Sequence, residues 1–201
     1  MAYASRTGTR RNLAALRAAG WGLLVTPAVP RTEGFDRFCV DNGAWSAFCQ
    51  GTAWDPGAFS ALVDAVGTGD FVVAPDIVAG GLASLALTES WLPRLPGLRL
   101  IAVQDGMTPA DVRPLLGATV GIFVGGSTDW KLATLPAWGR LAKEAGCYLH
   151  VGRVNSKRRI YACAYVGADS FDGTSVSRYA VTLPKLDGAR RQPSLFGGTG
   201  V

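Results

Sequence analysis

Short, nearly continuous apolar runs recur along this chain between segments of helical periodicity, and five of them stop abruptly at a carboxylate, an amide or a glycine pair. They are FCVDNG (Phe38 to Gly43), FVVAPD (Phe71 to Asp76), IAVQDG (Ile101 to Gly106), IFVGG (Ile122 to Gly126) and DSFDGTS (Asp169 to Ser175). Runs this short and rich in β-branched residues suit strands buried on both faces, as in a parallel sheet. Strand segments read at 1–5, 21–27, 37–41, 71–75, 98–104, 120–124, 147–154 and 170–172. Helices are predicted over 10–19, 56–66, 82–92, 109–116, 135–145 and 156–166. Asp55 before Pro56 and Thr108 before Pro109 read as helix N-caps, and Gly20 as a C-cap. Eight strands alternating with helices through short turns predict a (β/α)8 barrel. The chain has 201 residues, near the lower limit for that fold. We therefore expect a compact α/β barrel as a single domain over residues 1–183. Residues 184–201, rich in Gly, Pro and Arg, are expected to form a loose basic C-terminal tail.

In such a barrel the strand ends open on one face, and that face carries the chemistry. Side chains two apart along a strand point the same way. With Asp41 at the mouth, Cys39 lies beneath it. The same rule places Asp76 above Ala74, Gln104 above Ala102, Gly126 above Val124, and Asp172 above Ser170. Polar groups converging on one rim are costly unless they bind something, so the pattern points to an enzyme with one polar pocket, of a kind suited to a purine base. Read singly, each residue also fits a plainer role. Asp41 with Asn42 and Gly43 fits an Asx turn, Asp172 a turn beside Gly173, Asp76 a helix cap, and Gln104 a loop. Gly125 and Gly126 fit a phosphate cradle, Trp45 the core, and His150, the only histidine, a satisfied buried residue.

Composition narrows the class further. A hydrophobic share of 48% with 17% charged excludes extensive disorder. No apolar run approaches the ~18 residues of a membrane span, and MAYASRTGTRR lacks the order of a signal peptide, so a cytoplasmic location is expected. The net charge of +5 favours a polyanionic partner. The segment RVNSKRR leaves the seventh strand on the mouth side. Its Arg153, Lys157, Arg158 and Arg159 suit phosphate binding near a helix start at Ser156, with Arg178 and Lys185 extending the patch. Cys39, Cys49, Cys147 and Cys163 lack zinc-knuckle spacing and read as buried free thiols.

Taken in order, DNGAW, APD, VQDG, VGG, YLHVG and DSFDG resemble the tRNA-guanine transglycosylase superfamily, over about Asp41 to Ser175. That family exchanges a guanine in a nucleic acid for a 7-deazaguanine without cutting the backbone. The resemblance implies that Asp172 is the nucleophile and Asp41 the general acid/base. It further implies that Trp45 stacks on the base, and that Asp76, Gln104, Gly125 and Gly126 read the base edge. His150 stands where the family usually has an apolar residue beside the base, which groups it with the base-binding residues but gives it no role. The family's cysteine- and histidine-rich zinc motif is missing after Asp172. The compact, zinc-free form resembles the 7-deazaguanine DNA transglycosylases of phages and bacterial DNA-modification clusters; for a phage protein the location would be the host cytoplasm. The implied partners are DNA, with tRNA as the alternative, and a 7-deazaguanine such as a preQ0-type compound. No metal, cofactor or membrane is implied. A base-releasing N-glycosidase and a non-catalytic barrel binding deazapurine or DNA remain open.

Overall fold

The computed structural model describes residues 1–6, 9–179 and 181–192. Eight parallel strands close into a barrel in sequence order: β1 (Ala2–Ser5), β2 (Gly22–Val25), β3 (Phe38–Val40), β4 (Val72–Val73), β5 (Arg99–Val103), β6 (Val120–Val124), β7 (Leu149–Val151) and β8 (Ser170–Gly173). Closure comes from β1 pairing with β8, where Ala2 lies beside Phe171 and Tyr3 beside Asp172. The helices are α1 (Arg10–Ala18), α2 (Ala44–Gln50), α3 (Pro56–Val66), α4 (Leu82–Trp91), α5 (Pro109–Val112), α6 (Thr128–Ala145), α7 (Lys157–Tyr165), α8 (Ser175–Arg178) and α9 (Leu183–Arg191). The expected (β/α)8 architecture is therefore present. Among the described residues no helix is long and apolar enough to cross a membrane.

Local chemistry sets several helix starts. The Thr9 side chain accepts from the Asn12 amide at 3.3 Å, and the Asp55 carboxylate from the Gly57 and Ala58 amides at 2.8 and 3.0 Å. These bonds satisfy amides that the first turn leaves without partners. Helix α6 begins at Thr128, seven residues before the predicted start. Pro136 sits inside α6, on its exposed side. Helix α2 was not expected. It follows directly on Gly43, whose φ of 80° turns the chain out of β3.

Apolar side chains form two layers. The larger one lies between strands and helices and includes Val25, Val40, Val72, Ile101, Val124 and Trp138. The smaller one fills the barrel: Tyr3, Leu24, Cys39, Phe71, Val73, Leu100 and Ala102. Burial of both strand faces explains why the strands read as unbroken apolar runs.

Two expectations need correction. Residues 183–191 are not a loose tail. Leu183, Leu186 and Ala189 repeat every three residues and are buried, and α9 packs on α7 and α8. Trp21 donates its indole N–H to Asp187 at 2.9 Å, and Arg190 donates to the Ala19 carbonyl at 2.8 Å. The last nine positions of the expected tail, 193–201, lie outside the described residues. The thiols are also not all buried: Cys39 and Cys163 are, Cys147 is partly covered, and Cys49 is exposed.

Candidate active site

A cavity of about 800 Å³ opens at the strand ends. Asp41, Asp76, Gln104 and Asp172 line it, as do Trp45, Gly125, Gly126 and Arg153. The side-chain alternation holds on three strands: Cys39 and Ala102 face the barrel interior below Asp41 and Gln104, and Ser170 lies below Asp172. It fails on two. On β4 it is Val73 that points inward, whereas Ala74 packs with the helices. Asp76 reaches the cavity only after Pro75 has broken the strand. On β6 it is Phe123 that packs against the inner layer, whereas Val124 belongs to the outer one. Gly125 thus continues the inward row, and Gly126 follows at φ 69°. A Cβ on Gly126 would stand 2.6 Å from Asp105 Oδ2 and 2.7 Å from the Trp130 ring. The position therefore requires glycine on both counts.

Asp172 is buried, and two elements hold it. The Arg153 amide donates to Oδ1 at 3.2 Å, and His150 Nε2 lies 3.2 Å from Oδ2. Arg153 adopts φ 57°, a left-handed conformation unusual outside glycine. Its guanidinium lies 4.3 Å from the centroid of the Trp45 ring and donates to the Gly126 carbonyl. Arg153 thereby ties Asp172, the glycine turn and the aromatic lip together.

Asp41 does form the Asx turn that its plainer reading describes: Oδ1 accepts the Gly43 amide at 2.7 Å. It nevertheless lines the cavity. Burial pushes its carboxyl from 3.8 up to about 7, against the pull of the Gly43 amide, and the carboxylates of Asp76 and Asp172 add to the rise. Burial also raises Asp76, while the Asn42 amide counters it. Desolvation of a carboxylate, reinforced by like charges, is the ordinary origin of such shifts.

Asn42, which sequence reasoning passed over, is a buried clamp. Its Nδ2 donates to the Ala74 carbonyl at 2.8 Å and to Asp76 Oδ1 at 2.9 Å. Its Oδ1 accepts the Ala44 amide at 2.7 Å. Asn42 thus couples the start of α2 to the end of β4. Gln104 donates through Nε2 to the Ile77 carbonyl at 2.8 Å, which pins the loop after Asp76. Asp105, also at the cavity, accepts from the Ser127 amide and hydroxyl at 2.6 Å each. Lys131 is buried, donates to the Gly152 carbonyl, and has its ammonium value lowered by burial to about 8.

Five of the expected site residues lie outside the cavity lining. His150 does not line the cavity; it is fully buried one layer below, between Asp172 and Ser170. Its assignment to base binding is thereby corrected. Lys157 and Arg158 are exposed at the start of α7. Arg159 turns back to the Arg153 carbonyl at 3.2 Å, and Arg178 lies 5.8 Å from the Tyr179 ring centroid. None of the four lines the cavity, although α7 starts on the mouth side of the barrel. The Gly125 amide is used by the Val103 carbonyl at 2.9 Å. Trp45 is 46% exposed rather than core and stacks beside Phe48 at 5.8 Å. Among the described residues no group of three His, Cys, Asp or Glu side chains is arranged to hold a metal ion.

No protein-family model matches the chain, and no curated protein is significantly similar to it. Among solved structures, tryptophan synthase from M. tuberculosis in its aminoacrylate-bound form is 18% identical with a TM-score of 0.46, covering 94% of this chain and 89% of that chain. A ligand-free mutant form of tryptophan synthase from M. tuberculosis is 21% identical with a TM-score of 0.43, covering 92% of this chain and 67% of that chain. The barrel assignment rests on the closed strand order; likeness at this level says nothing of chemistry.

Proposed function

We propose that the protein is a pentosyltransferase that exchanges guanine in DNA for a 7-deazaguanine through a covalent aspartyl-glycosyl intermediate. The observation that carries this reading is a pair of carboxylates in one cavity with different surroundings. Asp172 accepts from the Arg153 amide and lies against His150 Nε2 at the head of β8, and Asp41 is pushed to about 7. Retaining glycoside chemistry needs one carboxylate as nucleophile and a second group that shuttles a proton near neutral pH.

In this reading an Asp172 oxygen attacks C1′ as the bond to the guanine nitrogen breaks. The bonding pair leaves with the base, and protonated Asp41 supplies its proton. The incoming 7-deazaguanine then gives its ring N–H proton to Asp41 and attacks C1′, which releases the Asp172 carboxylate. Both aspartates return to their starting states, so the exchange needs no co-reactant.

The rest of the cavity suits a flat base with adjacent donors. Asp76, with one oxygen held by Asn42, accepts from the N1–H and amino group of guanine. Gln104 has one amide hydrogen beyond the Ile77 bond for the carbonyl oxygen of the base. Trp45 and Phe48 supply aromatic faces at the lip, and Arg153 with the exposed Lys157 and Arg158 supplies charge for phosphates. The target nucleotide has to leave a duplex stack to reach the cavity.

The test is incubation with guanine-containing DNA, or separately tRNA, plus a 7-deazaguanine base, followed by digestion and mass spectrometry. Deazanucleoside from DNA, abolished by Asp172→Ala and reduced about 10²- to 10⁴-fold by Asp41→Ala, is the expected result. Product from tRNA alone would reassign the substrate. Release of guanine without incorporation would make the protein a base-releasing hydrolase. Absence of either product across several bases would remove the enzymatic reading.

A further inference from the structure

We infer that His150 is a positioning residue that aims Asp172, and that a one-way chain of hydrogen bonds, Tyr148 to Ser170 to His150, fixes its tautomer. His150, Ser170 and Asp172 lie along the inside of β7 and β8, whose register sets His150 beside Ser170, and Tyr148 immediately precedes β7. Tyr148 Oη donates to Ser170 Oγ at 2.9 Å. Ser170 Oγ lies 2.7 Å from His150 Nδ1, and His150 Nε2 lies 3.2 Å from Asp172 Oδ2.

Proton accounting allows one polarity. A carboxylate only accepts, so Nε2 carries the hydrogen. A neutral imidazole has a single N–H, so Nδ1 must accept. Ser170 therefore spends its proton on Nδ1, and Tyr148 spends its own on Ser170. Every donor is used once, and the chain ends at the oxygen opposite the one bound by the Arg153 amide.

The surroundings favour the neutral ring. His150 has no exposed surface, and it stacks on Phe123 at 4.9 Å and 19° and lies 4.9 Å from Phe71. Burial lowers its value, opposed by Asp172 above it and assisted by Lys131 of α6 and the chain's amino terminus. The constellation of serine, histidine and aspartate is not a hydrolytic triad. Ser170 is 1% exposed and lies below the cavity, whereas Asp172 is the member that faces it.

The chain contains a single histidine, so long-range ¹H–¹⁵N spectra of the imidazole have no overlapping signal. The expected spectrum is that of a neutral Nε2–H tautomer at pH 7 that persists below pH 6.5, with the Nε2–H resonance moving in Asp172→Ala. An imidazolium at pH 7, or the Nδ1–H tautomer, would overturn the inference. This arm does not depend on the proposed reaction and stands or falls even if no exchange activity is found. The kinetic arm does rest on Asp172 being the nucleophile. There, His150→Leu is expected to lower kcat on the order of 10²-fold, the scale of a misaimed reactive group, with KM nearly unchanged. His150→Gln, which keeps a donor at the Nε2 position, should recover part of that loss. Unchanged kcat in His150→Leu would overturn the inference. Should that variant fail to fold, Ser170→Ala replaces it, with a mixed tautomer and lowered kcat expected and wild-type behaviour in both as the refutation.

Discussion

Asp41→Asn should lower the proposed exchange activity about 10²- to 10⁴-fold and stabilise the protein, by an amount that depends on pH. Burial holds the Asp41 carboxyl at about 7 in the folded chain against 3.8 for an ordinary aspartate. Where both states are protonated, below 3.8, the group costs folding nothing. As pH rises towards 7 the unfolded chain ionises while the folded one does not, so stability falls; above about 7 the loss is complete. The gap from 3.8 to about 7, at about 1.36 kcal/mol per pH unit, sets a ceiling of about 4 kcal/mol on that loss, and the partial exposure of Asp41 at the cavity lowers it. Asparagine carries no charge and keeps an oxygen for the Gly43 amide, which Asp41 Oδ1 binds at 2.7 Å. Urea unfolding followed by tryptophan fluorescence measures the difference. The variant should exceed the wild type by about 2–4 kcal/mol at pH 8 and lie within about 0.5 kcal/mol of it at pH 4. A variant less stable than wild type at pH 8, or one with the same advantage at both values, would refute the argument that charge burial dominates at this position.

Arg153→Gly and Arg153→Ala remove the same stacking on Trp45, but only glycine relieves the φ of 57°; the glycine variant should be about 1 kcal/mol the more stable in urea. Lys131→Met tests the second buried charge. The Lys131 ammonium is lowered from 10.5 to about 8, so its penalty builds up as pH falls from 10.5 and is complete below 8. The variant should gain about 1–3 kcal/mol at pH 7 and lose that gain above pH 10.5. A thermal-melt series across pH that shows no convergence at the alkaline end would count against it.

The barrel was legible because buried parallel strands leave an unmistakable trace: apolar runs such as Val120–Val124, each followed by a turn. Period-two alternation placed Asp41, Gln104 and Asp172 correctly, since β3, β5 and β8 run unbroken into their polar ends. It misplaced Ala74 and Val124. Pro75 interrupts the alternation before Asp76, and nothing local says whether the odd or even residues of β6 face inward. That choice is set by the stagger of the closed sheet, a long-range property. His150 was missed as a partner of Asp172 for the same reason, because its bond follows from the β7–β8 register. Helix α9 did leave a signal, with Pro184 at its start and Leu183, Leu186 and Ala189 in step. The abundance of Gly, Pro and Arg around it masked that spacing.

Closure of the barrel between its first and last strands has a consequence for biosynthesis. Tyr3 lies beside Asp172 in the β1–β8 pair, so β1 waits for almost the whole chain before its second neighbour exists. At about 5–20 residues per second, the interval on the ribosome is on the order of 10–30 s. Contacts this distant in sequence slow folding, because loop closure must precede any gain from pairing. The residue proposed as nucleophile sits on that last strand, so a nascent chain carries a reactive centre only once the sheet is able to close around it.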